Sequence, residues 1–188
     1  EYGVDPLEAM KAEAITGKEA VEIGNVTPLK ALLEGFLDSK TASEEHGIDL
    51  REAMKAKVAI EAIKSDKMTL EQTLRSGVDP NLLLEAEPSL FDASNVAAAI
   101  TDHGLNPIDA LDNDLIDPRT AFEEYGVDPM DALKANAVEA ETAILKGGAD
   151  PMEALASGLI SPYDAFNTFG VDPIAALANG AVTADQAI

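Results

Sequence analysis

The side chains best suited to chemistry in this chain are carboxylates, and many of them recur in one local pattern. A glycine, one apolar residue and an aspartate follow one another at six places, which end at Asp5, Asp49, Asp79, Asp128, Asp150 and Asp172. Carboxylate oxygens bind Ca²⁺, but the ion needs about six to eight converging oxygens, and the D-x-D-x-D-G loop is absent. Proline follows most of these aspartates, as expected for an N-cap residue and the first helical position. We therefore interpret them as helix caps.

The densest acidic stretch is Asp112-Asn113-Asp114, which is followed closely by Asp117. We interpret it as a solvated turn between two helices. A weakly held cation is the alternative, because several carboxylates lie close together in sequence. We predict no metal-binding residue here or elsewhere in the chain.

The two histidines, His46 and His103, are 57 residues apart, and each precedes a recurring glycine. The same position is occupied elsewhere by Tyr2, Ile23, Tyr125 and Phe169. This pattern predicts a partly buried ring that packs against its neighbours. It does not favour a metal site or a catalytic pair built on histidine.

Enzyme motifs are missing from the sequence. With 35 acidic residues, pairs of carboxylates are unavoidable, and the repeated pattern singles out no pair of the kind that a glycosidase holds in its cleft. There is no G-x-S-x-G elbow, and Gly147-Gly148 lacks the lysine of a phosphate-binding loop. The absence of cysteine excludes disulfides, thiolate metal sites and a cysteine nucleophile. We predict that the protein is not an enzyme and has no catalytic or cofactor-binding residues.

An internal repeat accounts for the recurring aspartates. A small residue, an apolar residue, a capping residue and usually proline open eight units, which start near positions 3, 25, 47, 77, 104, 126, 148 and 170. Most starts are 22 residues apart, and the two exceptions are 30 and 27 residues apart. Proline at the first helical position and an acidic residue two positions later resemble a capping box, so each unit begins with a helix.

Each unit is predicted to hold two short helices. In the first helix, apolar residues three apart define one face: Leu7, Leu29, Ile108, Met130, Met152 and Ile174, followed by Met10, Leu32, Met54, Leu84, Leu111, Leu133, Leu155 and Leu177. Residues that tolerate a left-handed turn follow that helix: Gly35, Asp114, Asn136, Gly158 and Gly180. A second cap then opens the second helix, in which a recurring alanine suggests close approach of helices.

Three units depart from this pattern. In the third unit, the first helix is predicted to continue from Asp49 to about Lys64, and the second helix starts at the Thr69-x-x-Gln72 capping box. The fourth unit has about five extra residues, Ser89 to Ala93. The first unit has Glu13 where a turn residue is expected.

A unit of 22 residues cannot bury its apolar stripe alone, whereas stacked units can. We therefore expect an all-α fold: an α-solenoid of about eight short two-helix repeats, elongated or superhelical, in which residues 1–188 form a single repeat array. The architecture resembles α-solenoids of the tetratricopeptide type. The unit is shorter and lacks the tetratricopeptide signature, so no functional residue carries over.

Charge limits the classes of partner. The chain has 35 acidic and 13 basic residues, a net charge of −22, and no apolar run as long as a membrane span. We expect no nucleic-acid binding and no membrane insertion, because phosphate groups repel a polyanion. Ten of the basic residues lie at or before Arg75, so the C-terminal half is more acidic than the rest.

The leading hypothesis is a non-enzymatic scaffold that binds a protein or peptide, with a basic one favoured, through an extended acidic surface. The alternative is a structural spacer, a self-stacking filament or an element of an adhesin stalk, assembled by head-to-tail association. This alternative is based on the two ends, which are nearly in phase and suggest a segment of a longer array. A weaker alternative is an acidic mimic of DNA. The sequence indicates no cellular compartment.

Overall fold

The computed structural model describes Ala9, Ala12, residues 15–23 and residues 26–187, in two compact units, Glu1–Leu105 and Asn106–Ile188. Within the described residues, every regular element is a helix or a helical turn, and there are no strands. The prediction of an all-α fold made of short helices is therefore confirmed. Two of the predicted repeat starts, near positions 3 and 25, lie outside the described residues, and so does the irregularity at Glu13.

The first compact unit contains seven described α-helices, most of them only six residues long. They are α1 (Gly17–Glu22), α2 (Pro28–Leu33), α3 (Ser39–Glu44), α4 (Leu50–Lys64), α5 (Leu70–Arg75), α6 (Pro80–Ala86) and α7 (Val96–His103), with a 3-10 turn at Pro88–Leu90 between the last two. The predicted long helix in the third unit is confirmed as α4. The predicted capping box at Thr69 is confirmed at the start of α5.

The second compact unit alternates short helices with equally short connections. Its α-helices are α8 (Pro107–Asp112), α9 (Pro118–Glu123), α10 (Pro129–Lys134), α11 (Pro151–Ala156), α12 (Pro162–Asn167) and α13 (Pro173–Ala178). A π-helical turn (Thr142–Lys146) and a 3-10 turn (Ala184–Gln186) stand where the repeat predicted two further α-helices. No side chain caps the start of the π turn, so the side-chain hydrogen bond found at most of the described helix starts is missing there, as it also is at α7.

Capping explains the recurring aspartates, as the sequence predicted. At α10, the backbone N–H groups of Met130 and Asp131 donate to Oδ1 of Asp128 over 2.8 and 3.3 Å. The same arrangement satisfies otherwise unpaired N–H groups at most of the described helix starts. Reciprocal capping boxes are formed only at Thr16, Thr69 and Thr183 within the described residues. In the helices that begin with proline, the acidic residue two positions after the proline therefore does not form the second hydrogen bond of the capping box that its spacing suggested.

Fully buried alanines recur 11 residues apart in two series, Ala20 to Ala53 and Ala99 to Ala176, and this spacing is half the period read from the sequence. We call these residues the anchor alanines, and all of them are 0% exposed: Ala20, Ala31, Ala42, Ala53, Ala99, Ala110, Ala121, Ala132, Ala143, Ala154, Ala165 and Ala176. Each of them except Ala143, which lies in the π-helical turn, is four residues after the N-cap residue of its helix. The 22-residue unit therefore consists of two 11-residue modules, each made of a cap, a short helix and a turn around one anchor alanine.

Two kinds of turn alternate along the regular modules. In the first kind the left-handed residue lies four positions after the anchor, and the carbonyl of Ala132 accepts from the N–H of Ala137 over 3.0 Å. In the second kind it lies five positions after the anchor, and the carbonyl of Ala121 accepts from Val127 over 3.0 Å. These bonds are of the kind that closes helix C-termini. The alternation makes the pair of modules the repeating unit, although the anchors recur twice as often.

The buried side chains of the second compact unit form overlapping clusters. One cluster contains Leu111, Ala121, Val127 and Ala132, and the other extends from Met130 to Val182. Val138 packs against both of them, so successive modules share buried neighbours.

The first compact unit packs less regularly. Helix α2 is the first helix of the second repeat. It contacts α4 and α6, which are the first helices of the third and fourth repeats. The ammonium group of Lys57 on α4 donates to the carbonyl of Leu33 over 2.7 Å, which helps to hold α4 against α2. The longer α4 thus alters the order of packing in this part of the chain.

Candidate functional site

The sequence-predicted acidic positions serve local structure. Asp117 caps α9: the hydroxyl and the backbone N–H of Thr120 donate to its carboxylate over 2.8 and 3.1 Å. These two hydrogen bonds lower the pKa of Asp117. Asp114 occupies the left-handed turn that follows α8. Within the described residues, no group of three or more His, Cys, Asp or Glu side chains is placed to hold a metal ion.

The two histidines differ in their surroundings. His103 is half-buried at the end of α7, so the predicted packing role is confirmed for that residue. His46 is exposed, and the same prediction is wrong there. Ile23, which occupies the equivalent position after α1, is 61% exposed. Burial is therefore not a fixed property of this position.

A shallow groove with an apolar lining runs along α4 in the first compact unit, and we call it the α4 groove. It has a volume of ≈ 520 Å³, and its lining includes Arg51, Met54, Lys55, Val58, Met68 and Val78. Met54 and Val58 stand one helical turn apart and are 54% and 62% exposed. An exposed pair of large apolar side chains in a concave surface is typical of a site that binds another molecule.

The α4 groove lies beside the buried face of α4. One face of the helix is buried through Ala53, Ala56 and Ile60, and the apolar pair Met54 and Val58 lies outside that face. The repeat predicted that Met54 would face the core together with its equivalents, and this prediction is wrong. In this helix, small alanines supply the close packing, so the larger side chain is left at the surface.

Two basic residues, Arg51 and Lys55, line the α4 groove. Residues 50–78 carry six basic and four acidic side chains, a net charge of +2 in a chain whose total is −22. Lys55 pairs with Glu52 over 2.7 Å, whereas the guanidinium of Arg51 makes no ion pair or hydrogen bond to the described residues. The groove therefore combines an apolar floor with one uncompensated positive charge at its edge.

The second compact unit, like the first compact unit as a whole, has a strong net negative charge. Residues 106–188 carry 15 acidic and three basic side chains, a net charge of −12. Two of these basic residues are paired, Arg119 with Glu123 over 2.9 Å and Lys134 with Asp131 over 3.5 Å. The acidic caps are spread along the modules and lie at the surface. The exposed acidic side chains of the second compact unit are therefore distributed along its sequence.

Two apolar side chains on α13 are exposed where their equivalents are buried. Ile174 and Leu177 are 78% and 43% exposed, and we call this pair the α13 face. In α10, Met130 and Leu133 hold the same positions and are 6% and 5% exposed, in a cluster with residues of the following modules. Burial at these positions thus comes from the next pair of modules.

In the described part of the chain, no helix combines the length and the apolar character needed to cross a membrane.

Comparison of the chain with protein-family models, with curated proteins and with solved structures returned no match.

Proposed function

We propose that this chain is a non-enzymatic α-solenoid scaffold, in which 11-residue modules stack in pairs and present an extended acidic surface to a protein or peptide partner. The observation that carries the proposal is the series of fully buried anchor alanines at a constant spacing, most regular from Ala110 to Ala176. A surface that repeats with the same geometry can bind an extended partner along its length.

Stacking is the reason that such short helices are stable. Isolated helices shorter than about 12–15 residues are marginal in water, and most helices here have six residues. A module contributes its anchor and one or two larger apolar side chains, as in α11, where Ala154 and Leu155 are buried and Ala156 is exposed. Such a module needs cover from its neighbours, and the shared clusters around Val138 are consistent with this requirement.

Charge indicates the kind of partner. A net charge of −12 on residues 106–188 attracts basic segments and repels phosphate backbones. The acidic groups are dispersed, so the binding is expected to depend on total charge and to tolerate variation in the partner's sequence. The proposed partner is a basic protein or peptide that lies along the modules.

Titration with a basic peptide tests the binding part of this proposal. The affinity of the full chain is expected to fall about tenfold or more between low and high salt, because salt screens exposed charges over a few ångströms to about 10 Å. Fluorescence anisotropy of the labelled peptide measures this change, with an acidic peptide of the same length as the control. Equal affinity at both salt concentrations would refute the electrostatic mechanism.

A pair of neutralised variants locates the binding surface. Asp112→Asn, Glu139→Gln and Glu141→Gln together remove three exposed charges from the second compact unit. Glu22→Gln, Glu34→Gln and Glu61→Gln together remove three exposed charges from the first. The proposal expects the first triple variant to weaken binding more than the second, and equal losses would count against the second compact unit as the main binding surface.

A further inference from the structure

We propose that the α4 groove binds the apolar side of an acidic amphipathic helix that belongs to a partner protein. This inference goes beyond the proposed function, because it concerns the first compact unit and a partner segment of the opposite charge. The argument depends on three properties of the groove: its apolar strip, its hydroxyl groups and its basic side chains.

The apolar strip is exposed in the middle of the chain. Met54 and Val58 are 54% and 62% exposed, and the half-buried Met68 and Val78 also line the groove. The helices that precede and follow α4 are both described, so this exposure results from how the chain packs. Two of the five methionines of the chain thus line one groove. Methionine is flexible and polarizable, and it is common in surfaces that bind apolar helices.

The hydroxyl groups that line the groove already have hydrogen-bond partners. The hydroxyl of Thr73 donates to the carbonyl of Thr69 over 3.0 Å, and the hydroxyl of Ser76 donates to the carbonyl of Thr73 over 2.7 Å. Neither hydroxyl proton needs an acceptor from an occupant. Recognition in this groove is therefore expected to depend on apolar contact and on charge.

The charged side chains that line the groove are both basic. Among the described residues the lining includes Arg51 and Lys55 and no acidic residue, although the whole chain has 35 acidic and 13 basic residues. Lys55 pairs with Glu52, whereas the guanidinium of Arg51 has no ion pair or hydrogen bond to the described residues. A carboxylate of the occupant would complement this guanidinium, and a basic side chain would be repelled.

The spacing of these residues suits a helical occupant. Met54 and Val58 are four residues apart, so they form a strip about 5.4 Å long, which is one helical turn. Two apolar side chains three or four residues apart on a partner helix match that length, as in other complexes in which a helix lies in a groove. Arg51 stands one turn before Met54 on the same helix, so glutamates beside the apolar pair of the partner can approach it.

Fluorescence anisotropy with a labelled peptide tests the proposal on the full chain. The probe is a peptide of leucine, alanine and glutamate about five helical turns long, with leucines three and four residues apart and glutamates on both borders of the apolar side. We expect saturable binding. The control peptide has the same composition in scrambled order, which spreads the leucines around the helix, and it is expected to bind about tenfold or more weakly. Physiological ionic strength screens acidic residues of the protein that lie more than about 8 Å away.

Variants of the protein locate the binding site. Val58→Glu places a negative charge in the apolar strip and is expected to weaken binding of the acidic probe about tenfold or more. Arg51→Gln removes the unpaired charge and is expected to weaken it about threefold to tenfold. Tyr163→Glu is the matched control, because Tyr163 is 73% exposed, lies outside the groove and receives the same charge. Its affinity for the probe is expected to equal that of the wild type.

Several outcomes would overturn the proposal. They are the absence of saturable binding, equal binding of the scrambled peptide, and an unchanged affinity in Val58→Glu. Self-association of the wild type that Val58→Glu abolishes, measured by sedimentation velocity, would mean that a second copy occupies the groove. A melting temperature lowered by Val58→Glu but not by Tyr163→Glu would mean that the chain covers the groove itself. None of these measurements uses a basic peptide, so this proposal and the proposed function can fail separately.

Discussion

Replacing Ala154 with leucine is expected to lower the free energy of unfolding of the second compact unit by about 2–3 kcal/mol. Ala154 is 0% exposed in α11 and belongs to the larger buried cluster. Its carbonyl accepts from the N–H of Leu159 over 2.9 Å, so the backbone there is fixed by the turn. A larger side chain must displace packed neighbours, and a close-packed interior has no free volume for it. Urea unfolding followed by circular dichroism measures the change.

Ala156→Leu is the matched control, since it makes the same change two residues further along the same helix. Ala156 is exposed, and leucine and alanine have similar helix propensities, so the free energy of unfolding is expected to change by less than about 0.5 kcal/mol. If the two variants unfolded at the same urea concentration, anchor alanines would have no special role in packing.

Gly17→Ala is the second substitution with a large expected effect, here in the first compact unit. Gly17 is the first residue of α1, and a Cβ atom there would lie 2.1 Å from the carbonyl oxygen of Phe36 and 2.6 Å from its carbon. Both are backbone atoms, so relief requires α1 to move away from the turn that follows α2. We expect a loss of about 2–3 kcal/mol in the free energy of unfolding.

The direction of the change in the free energy of unfolding makes this test specific to the contact between Gly17 and Phe36. Gly17 does not have a left-handed backbone, and alanine normally stabilises such a helical position relative to glycine by up to about 1 kcal/mol. Ser39→Ala, at the first position of α3, is the control, because Ser39 is exposed and little change is expected. Differential scanning calorimetry measures the melting temperature of both variants. A melting temperature raised by Gly17→Ala would exclude the close approach of Gly17 to the backbone of Phe36.

Local chemistry made much of the fold predictable from sequence. The start of α4 at Asp49, the capping box at Thr69 and the left-handed Asn136 each depend on hydrogen bonds within a few residues. Side-chain oxygens that accept from nearby N–H groups produce the same result wherever the same residues recur. For this reason helix existence and most helix boundaries followed from short patterns.

Features that depend on distant packing were not predictable in this way. The same apolar position is buried at Leu133 and exposed at Met54, because a short module and the long α4 are covered by different neighbours. The half-period of 11 residues was present in the spacing of alanines, but two different turns alternate and the caps vary in type. These variations made the 22-residue period the more visible one.

The α4 groove was not predicted from the sequence, because its exposed residues depend on packing between distant parts of the chain. Met54 and Val58 have i, i+4 spacing, and a second apolar stripe on a long helix is a signal that sequence can carry. The stripe becomes informative only when Ala53, Ala56 and Ile60 are known to form the buried face. The acidic character of the second compact unit, in contrast, follows from counting residues.

Deletion of residues 127–148 tests the modular account most directly. It removes one complete pair of modules and joins Gly126 to Ala149, so both the 11-residue spacing of anchors and the alternation of turns are kept. We expect the same mean residue ellipticity at 222 nm and cooperative unfolding at a modestly lower temperature, because stacked repeats depend mainly on nearest neighbours. Deletion of residues 127–143 removes five fewer residues but breaks the register, and we expect it to lose helix content and cooperativity. A larger loss from the in-register deletion than from the shorter one would contradict the account.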